Sequence, residues 1–251
     1  MPITLPLRIN RYLALKGYAT RRQADELIEK KYVNINDRVA VLGDIVREGD
    51  IVSVTPNRAQ KKKFTYLLYF KPKGIITHSP QENEKSIADT LKLNANPPNF
   101  LRKNLGGQGV FPVGRLDKDS RGLIVLTDDG RIIDRLLSPD YFHEKEYQVK
   151  VDKPITPHFI RLMESGVDIE GYRTKPAKVT KLGPQEFKII LTEGKKHQIR
   201  RMAAGLGYTI IDILRLRIMN LAIGRLKPGE FREIAGPELV SFLKSLGLPS
   251  N

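Results

Sequence analysis

The sequence of 251 residues contains no cysteine. This absence excludes a disulfide scaffold, a thiolate metal site and a cysteine nucleophile. No run of about 18 consecutive apolar residues is present, as a membrane-spanning helix would need, and no charged-then-apolar leader precedes a small-residue cleavage site. We therefore expect a cytoplasmic protein. Its apolar content of 40% is enough to build packed cores.

Acidic residues are scarce relative to basic ones. The chain has 43 Lys and Arg against 28 Asp and Glu, which gives a net charge of +15. Such an excess predicts a polyanionic partner, and nucleic acid is favoured over a membrane because no basic helix has a Trp or Phe face. The N-terminal quarter is the most basic part, and its candidate phosphate contacts are Arg8, Arg11, Arg21 and Arg22. A solvated surface is the alternative interpretation.

Signatures of metal and nucleotide sites are missing as well. The four histidines are widely scattered, and no phosphate-binding loop with its lysine is present. Residues 117–128 begin like a calcium-binding loop, but Arg121 places a cation where that loop needs an oxygen ligand, and no glutamate closes it. We predict that the protein binds no metal.

The N-terminal part of the chain has the pattern of a small module. Apolar spacing predicts helices over residues 8–16 and 21–30, and alternating residues between 33 and 54 predict short strands. The polar and basic stretch that follows predicts a linker. We divide the chain into an N-terminal module (1–56), a linker (57–63), a larger domain (64–235) and a helical or loose C-terminal tail (236–251).

Strands and helices mix in the larger domain. Strands are predicted at residues 66–70, 123–127, 147–151, 174–181, 186–192, 209–217 and 230–234. Helices are predicted at residues 131–137, 157–165 and 196–205, the second of them begun by Thr156 and Pro157 and ended by Gly166. Because the strands follow one another as in hairpins, an α+β fold is favoured over a doubly wound parallel sheet.

Three segments carry residues suited to chemistry. Residues 114–123 read Gly-Arg-Leu-Asp-Lys-Asp-Ser-Arg-Gly-Leu, an acid on a tight turn before an apolar strand. Residues 145–147 read Lys-Glu-Tyr, and residues 193–202 read Glu-Gly-Lys-Lys-His-Gln-Ile-Arg-Arg-Met, a glycine turn into a basic helix. Taken singly, each has a simpler explanation, since an aspartate on a turn usually caps the backbone.

Taken together and in this order, the segments resemble the motifs of the pseudouridine synthases that modify ribosomal RNA. Arg-Leu-Asp before a Gly-Leu-Ile strand resembles the catalytic-aspartate motif, Lys-Glu-Tyr the tyrosine motif, and His-Gln-Ile-Arg-Arg-Met the basic motif. The match runs from residue 7 to about residue 234, and residues 7–54 resemble an S4-type RNA-binding domain. Residues 143–147 and 217–220 look most similar to the F-type large-subunit members.

The resemblance implies a role for each matching residue. Asp117 would be the nucleophile that attacks the target uridine, at an atom of the ribose or of the base, so that uracil detaches, turns and rejoins through carbon. Arg200 would keep the Asp117 carboxylate ionised, and Tyr147 would stack on uracil and help remove its carbon-bound proton. Arg115 would hold the target outside its helix, and Leu214 would line the apolar pocket.

The resemblance also implies the wider setting of the reaction. A small S4-type domain would precede a mixed, mainly antiparallel sheet, and the substrate would be large-subunit ribosomal RNA. No cofactor is expected because the reaction is a net isomerisation, and we expect a monomer that needs no protein partner. Two alternatives stay open: the same reaction on small-subunit ribosomal RNA or tRNA, and a non-catalytic RNA-binding or ribosome-assembly protein.

Overall fold

The computed structural model describes residues 5–19, 21–55, 64–78, 80–92 and 110–248. The chain divides into two compact units. The first contains Met1–Thr65 and Asp128–Asp134, and the second contains Tyr66–Thr127 and Arg135–Ser250. The predicted linker at residues 57–63 lies outside the described residues. Within the part that is described, no helix has the length and apolar character needed to cross a bilayer.

The first unit packs two helices against short strands. Its elements are β1 (Leu7–Arg8), α1 (Ile9–Leu15), α2 (Arg21–Glu29), β2 (Val33–Ile35), β3 (Arg38–Val39), β4 (Ile45–Val46) and β5 (Val52–Val54). The apolar stripes of both helices meet in one core, where Ile9 and Leu13 of α1 and Ala24 and Ile28 of α2 are buried. Both predicted helices are therefore present, with ends that lie within about one residue of those predicted.

The second unit is built on a nine-stranded sheet. Its strands are β6 (Tyr66–Lys71), β7 (Phe111–Val113), β8 (Arg121–Thr127), β9 (Lys145–Val151), β12 (Lys178–Lys181), β13 (Glu186–Leu191), β14 (Ile210–Ile218), β15 (Leu221–Ala222) and β16 (Phe231–Glu233). The order is β12-β13-β9-β14-β8-β6-β16, with β7 beside β8 and β15 beside β14. In this sheet β8 and β14 pair in parallel, and the other described strand pairs are antiparallel. The predicted mixed, mainly antiparallel α+β fold is confirmed.

Helices and one small hairpin complete the second unit. The hairpin pairs β10 (Asp168–Ile169) with β11 (Tyr172–Arg173), and the helices are α3 (Ile87–Lys92), α4 (Arg131–Leu137, shared with the first unit), α5 (Pro157–Ser165), α6 (Gln198–Gly205) and α7 (Gly236–Ser245). A 3-10 turn, Pro139–Tyr141, follows α4. Helix α5 begins where predicted, because the Thr156 hydroxyl accepts a hydrogen bond from the Phe159 N–H at 3.1 Å.

One predicted strand differs from the structure, and one prediction that left two options open is decided by it. The strand expected at residues 174–181 begins at Lys178, since Pro176 has no N–H to donate to a neighbouring strand. The C-terminal segment, expected to be helical or loose, forms helix α7, whose Phe242 and Leu243 are buried.

One row of paired residues crosses the centre of the sheet. Tyr147 on β9 lies opposite Arg215 on β14, and Arg215 lies opposite Gly122 on β8. The turn that carries Asp117 leads directly into β8. The register therefore brings residues from three distant parts of the chain to one level of the sheet.

Candidate active site

A cavity of about 810 Å³ opens in the second unit. This volume is within the range of about 300–1,000 Å³ that is typical of small-ligand sites. All three segments singled out in the sequence contribute to its lining. They supply Arg115, Asp117, Lys145, Tyr147, His197 and Arg200.

The turn that carries Asp117 is held in place by side chains from both neighbouring strands. The ammonium group of the buried Lys71, at the end of β6, donates to the carbonyl oxygens of Pro72, Ile75 and Lys118. The Thr77 hydroxyl donates to the Leu116 carbonyl at 2.8 Å. On the other side, Arg215 donates to the carbonyls of Leu123 and Arg115. These bonds orient the turn before any substrate binds.

The Asp117 carboxylate is half-exposed, and the side chain that lies beside it is not the predicted one. The His197 ring nitrogen Nε2 lies 3.6 Å from Asp117 Oδ1. Arg200 Nη2 instead donates to the Asp119 carbonyl at 3.1 Å. Among the described residues no ion pair joins Arg200 to Asp117. Arg200 therefore contacts the turn that carries Asp117, but its acceptor is the Asp119 carbonyl oxygen and not the Asp117 carboxylate.

His197 reaches Asp117 because the chain bends sharply before α6. His197 caps this helix with a φ of 51°, in the left-handed region. Such a conformation is uncommon for a residue with a Cβ atom, and residues that adopt it cluster at functional sites. The bend turns the imidazole towards Asp117 while the helix carries Arg200 past the same turn.

Two lysines near Asp117 have lowered pKa values. Burial, together with the nearby Arg215, lowers the pKa of Lys71 to about 8, although Asp117 and Asp119 act in the opposite direction. Burial and Arg215 lower the pKa of Lys145 to about 8 as well. Basic side chains outnumber carboxylates in the cavity lining, an arrangement that suits a polyanionic ligand.

The remaining predicted pocket residues divide into two groups. Tyr147 and the exposed Arg115 line the cavity, as expected. Leu214 does not line it, whereas its neighbours Ile213 and Arg215 do. Successive side chains of a strand point to opposite faces, so Leu214 lies on the other side of β14. Leu214 is therefore not placed to line the cavity as predicted, and the apolar side chains that β14 supplies are Ile213 and Ile218.

A buried glutamate organises the basic segment before α6. The Glu193 carboxylate accepts hydrogen bonds from the Tyr172 hydroxyl at 2.6 Å, the Lys175 N–H at 3.0 Å and the Gln198 side-chain amide at 2.8 Å. Hydrogen bonding to Glu193 raises the pKa of Tyr172. This network ties the β11 region to the start of α6, which carries His197 and Arg200.

The rim of the cavity includes an exposed aromatic residue. Phe142 is 57% exposed, has a φ of 52° and lines the cavity together with Lys175. The Lys175 ammonium lies 4.1 Å from the centre of the Phe142 ring. An exposed aromatic ring beside a cation is a typical surface for an unpaired nucleobase.

Not all of the arginines predicted to contact phosphates in the first unit are exposed and free of an ion pair. Arg8 and Arg21 are exposed, at the N-terminal ends of α1 and α2. Arg11 donates to Asp134 at 2.9 Å and is therefore engaged in an ion pair. The side chain of Arg22 lies outside the described part of the structure.

Sequence reasoning missed Lys71 and Arg215. Both stand in strands that are mostly apolar, where a charged residue is easily taken for a solvent-facing position. The usable signal was Lys71 itself, a lysine that ends the apolar strand before Pro72 and Gly74. Elsewhere in the described residues, no group of three or more His, Cys, Asp or Glu side chains is placed to hold a metal ion.

Comparison with known proteins shows the family to which the chain belongs. A family model described as RNA pseudouridylate synthase matches residues 65–205, and an S4 domain model matches residues 7–52. Dual-specificity RNA pseudouridine synthase RluF of Escherichia coli (strain K12) is 39% identical over 241 residues, which cover 95% of this chain and 79% of the relative. The chain belongs to the RNA pseudouridylate synthase family.

Two further comparisons agree with this membership. Ribosomal large subunit pseudouridine synthase B of Bacillus subtilis (strain 168) is 32% identical over 248 residues, which cover 95% of this chain and 96% of the relative. A crystal structure of a pseudouridylate synthase matches with a TM-score of 0.65 and 27% identity, covering 96% of this chain and 99% of that one. The chain is an RNA pseudouridine synthase with an N-terminal S4 domain, and the predicted family and activity are confirmed.

Proposed function

We propose that this synthase isomerises uridine in large-subunit ribosomal RNA and that Asp117 is its nucleophile. The meeting of Asp117 and Tyr147 in one cationic cavity, with the Asp117 turn held by Lys71 and Arg215, supports the assignment most directly. The cavity has room for one nucleotide drawn out of an RNA helix.

The reaction needs no external reactant. Asp117 forms a covalent bond to the substrate, at the ribose or at the base, while the bond between ribose C1′ and uracil N1 breaks. Uracil turns, its C5 bonds to C1′, and Asp117 is released. A proton is lost from C5 and one is gained at N1, so atoms and electrons balance.

Three other residues serve this chemistry. Tyr147 stacks on the uracil and helps to remove the C5 proton. Arg115, exposed at the mouth of the cavity, helps to hold the target nucleotide outside its helix. Arg200 leaves the Asp119 carbonyl when RNA binds and pairs with the Asp117 carboxylate, which lies on the same turn.

The names of the relatives support ribosomal RNA of the large subunit as the substrate. The Bacillus subtilis relative is described as a large-subunit synthase, and the Escherichia coli relative as a dual-specificity enzyme. The predicted domain limits (1–56, 57–63 and 64–235) are supported by the separate S4 and synthase matches. Small-subunit ribosomal RNA or tRNA is the alternative substrate.

Mapping of pseudouridine in cellular RNA tests the substrate. RNA from cells with and without this protein is compared at single-nucleotide resolution, and the gene is restored in wild-type form. We expect at least one pseudouridine in large-subunit RNA to disappear and to return. Loss confined to small-subunit RNA or tRNA would replace the proposed substrate by the alternative, and no loss in any RNA would contradict both.

The first unit is expected to supply RNA affinity through its exposed arginines. Replacing Arg21 and Arg22 by alanine should weaken binding and lower the slope of log affinity against log salt by about 0.9 for each phosphate that is no longer neutralised. The single-turnover rate at saturating RNA should stay within a few-fold of wild type, because the cavity lies in the second unit. Binding measured across a salt series gives the slope.

Arg38→Ala is the matched control for this prediction. Arg38 is a basic residue of the same unit, but both its terminal nitrogens are bonded to Asp44, at 2.8 and 2.9 Å. Its removal should therefore change the slope far less. If the Arg21 and Arg22 substitutions leave affinity and salt slope at the wild-type values, these residues are not phosphate contacts.

Phe142 is expected to stack on a base next to the target uridine. Phe142→Ala should raise the apparent KM by about 5- to 160-fold, because stacking of a base on an aromatic ring contributes about 1–3 kcal/mol. Phe142→Tyr should retain most of the affinity. Leu182→Ala, at a residue that is 50% exposed and outside the cavity lining, is the control. Equal KM values for the Phe142 and Leu182 variants would exclude a stacking role.

A further inference from the structure

Two cations form the inner wall of the cavity beside Tyr147. Lys145 on β9 and Arg215 on β14 both line it. Arg215 is only 4% exposed, and its guanidinium donates to the carbonyls of Leu123 and Arg115. The Lys145 ammonium reaches the His143 carbonyl at 3.4 Å. Both cations therefore donate their hydrogen bonds to neutral backbone oxygens.

No carboxylate forms an ion pair with either cation among the described residues. The acidic neighbours of Lys145 in the sequence, Glu144 and Glu146, are both bonded to Arg217 at 2.9 Å. Glu146 alternates with Lys145 and Tyr147 along β9 and so belongs to the other face. Positive charge that is buried without a counter-ion is costly. The inner wall therefore holds two cations that an anionic ligand could pair with.

The position of the two cations in the cavity indicates which anion they would contact. Lys145 and Arg215 stand beside Tyr147, where the base is placed in the proposed function, and the exposed Arg115 and Lys196 are better placed for phosphates. When the bond from C1′ to N1 breaks, both electrons remain on uracil, which becomes an anion with charge on N1, O2 and O4. Before that step the base is neutral.

We propose that Lys145 is a further catalytic residue, which stabilises the detached uracil anion with Arg215 behind it. This proposal rests on the function proposed above. Lys145 remains an ammonium throughout and transfers no proton: its charge interacts with the electron pair left by the broken bond, and that pair is used when C5 bonds to C1′. Because the interaction is strongest after cleavage, it lowers the barrier rather than tightening substrate binding.

Single-turnover kinetics with saturating enzyme test the role. Lys145→Met should lower the rate of pseudouridine formation by about 100-fold, the usual effect of removing one group that stabilises a developing anion. RNA affinity should stay within a few-fold, and Lys145→Arg should restore most of the rate. Lys150→Met is the matched control, since Lys150 lies exposed on the same strand outside the cavity lining.

A substrate with a better leaving group separates catalysis from a structural role. Fluorine at C5 withdraws electrons and stabilises the detached anion, so cleavage depends less on a cation. Loss of the C1′–N1 bond is therefore measured in RNA that carries 5-fluorouridine at the target. Lys145→Met should slow this cleavage much less than it slows cleavage at uridine. Equal slowing of both substrates, or a rate like that of Lys150→Met, would overturn the proposal.

The pH profile provides a second measurement, which does not need the methionine variant to fold. Since the pKa of Lys145 is about 8, its charge is lost as pH rises through that value. The wild-type rate should fall there, and Lys145→Arg should move the fall to higher pH. The other charged or titratable groups that line the cavity are Arg115, Asp117, Asp140, Tyr147, Tyr172, Lys175, Glu193, Lys195, Lys196, His197, Arg200 and Arg215.

The arginine variant also distinguishes Lys145 from Lys71, whose pKa is also about 8 but which does not line the cavity. A fall at the same pH in Lys145→Arg would contradict the proposal. Failure of the underlying function looks different: the wild-type enzyme itself would then leave uridine unchanged in every RNA tested.

Discussion

Replacing Asp117 by asparagine is expected to abolish pseudouridine formation, with a loss of about 10⁴-fold or more, as is usual when a nucleophile is removed. The amide has the same shape as the carboxylate but cannot form the covalent bond. The Asp117 side chain faces the His197 ring at 3.6 Å, and the turn is held through backbone carbonyls. We therefore expect the variant to fold like the wild type and to bind RNA within several-fold.

Asp119→Asn is the control, because it removes a negative charge from the same turn without removing the proposed nucleophile. Asp119 lies on the same turn, and its backbone carbonyl accepts the Arg200 hydrogen bond. The substitution keeps this carbonyl. We expect this variant to retain activity within about tenfold of wild type, the range left when no reacting group is removed. The assay is pseudouridine formation in a verified RNA substrate, with thermal unfolding of both variants alongside. Measurable turnover by Asp117→Asn would end its assignment as the nucleophile.

The second large effect is expected from Gly122→Ala, which acts through the backbone of the site. Gly122 has a φ of +113°, and a Cβ atom there would lie 2.4 Å from the Arg215 carbonyl oxygen and 2.6 Å from the Arg215 nitrogen. Neither of these backbone atoms can move unless the paired strands β8 and β14 separate. A strained conformation and overpacking each cost about 1–3 kcal/mol. We expect the free energy of unfolding to fall by about 3 kcal/mol or more.

Activity should fall with stability in this variant. Separation of β8 from β14 displaces the Asp117 turn from Arg215 and Tyr147, which share the row that crosses Gly122. Urea unfolding measures stability, and the rate is measured below the unfolding transition. Gly183→Ala is the control, because a Cβ atom there meets nothing within 4 Å. It should change stability by about 1 kcal/mol or less. Equal stabilities of the two variants would show that the close approach at Gly122 is tolerated.

Local chemistry made several elements predictable. Helix α5 begins and ends where the sequence predicts. The Thr156 hydroxyl and Pro157 start it and Gly166 ends it, because each of these residues acts within one turn of the helix. Ser86 and Asp89 likewise exchange hydrogen bonds at the start of α3. The strand predicted to begin at residue 174 begins at Lys178, and the reason is also local, because Pro176 precedes it.

The candidate site was predictable only in part. Arg115, Asp117 and Tyr147 line the cavity as the motifs indicated, and Arg200 lines it with a different bonding partner. Motif resemblance identifies residues but not which atoms they contact, so it could not distinguish the Asp119 carbonyl from the Asp117 carboxylate. Leu214 was assigned to the cavity although the face of a strand changes with every residue, and β14 has irregular pairing at Arg215.

The division into two modules, the excess of basic residues and the three motif segments of a uridine-isomerising enzyme could all be read from the amino-acid sequence, since charge and motif order are properties of the chain alone. How these segments meet depends on the tertiary structure. The Arg215 guanidinium bonds to Leu123 and Arg115, 92 and 100 residues away in the chain, and Lys71 bonds to Lys118, 47 residues away. The register of β9, β14 and β8 sets these contacts, and with them the buried positive charge beside Tyr147. Sheet register depends on pairing across the whole unit, and no local pattern specifies it.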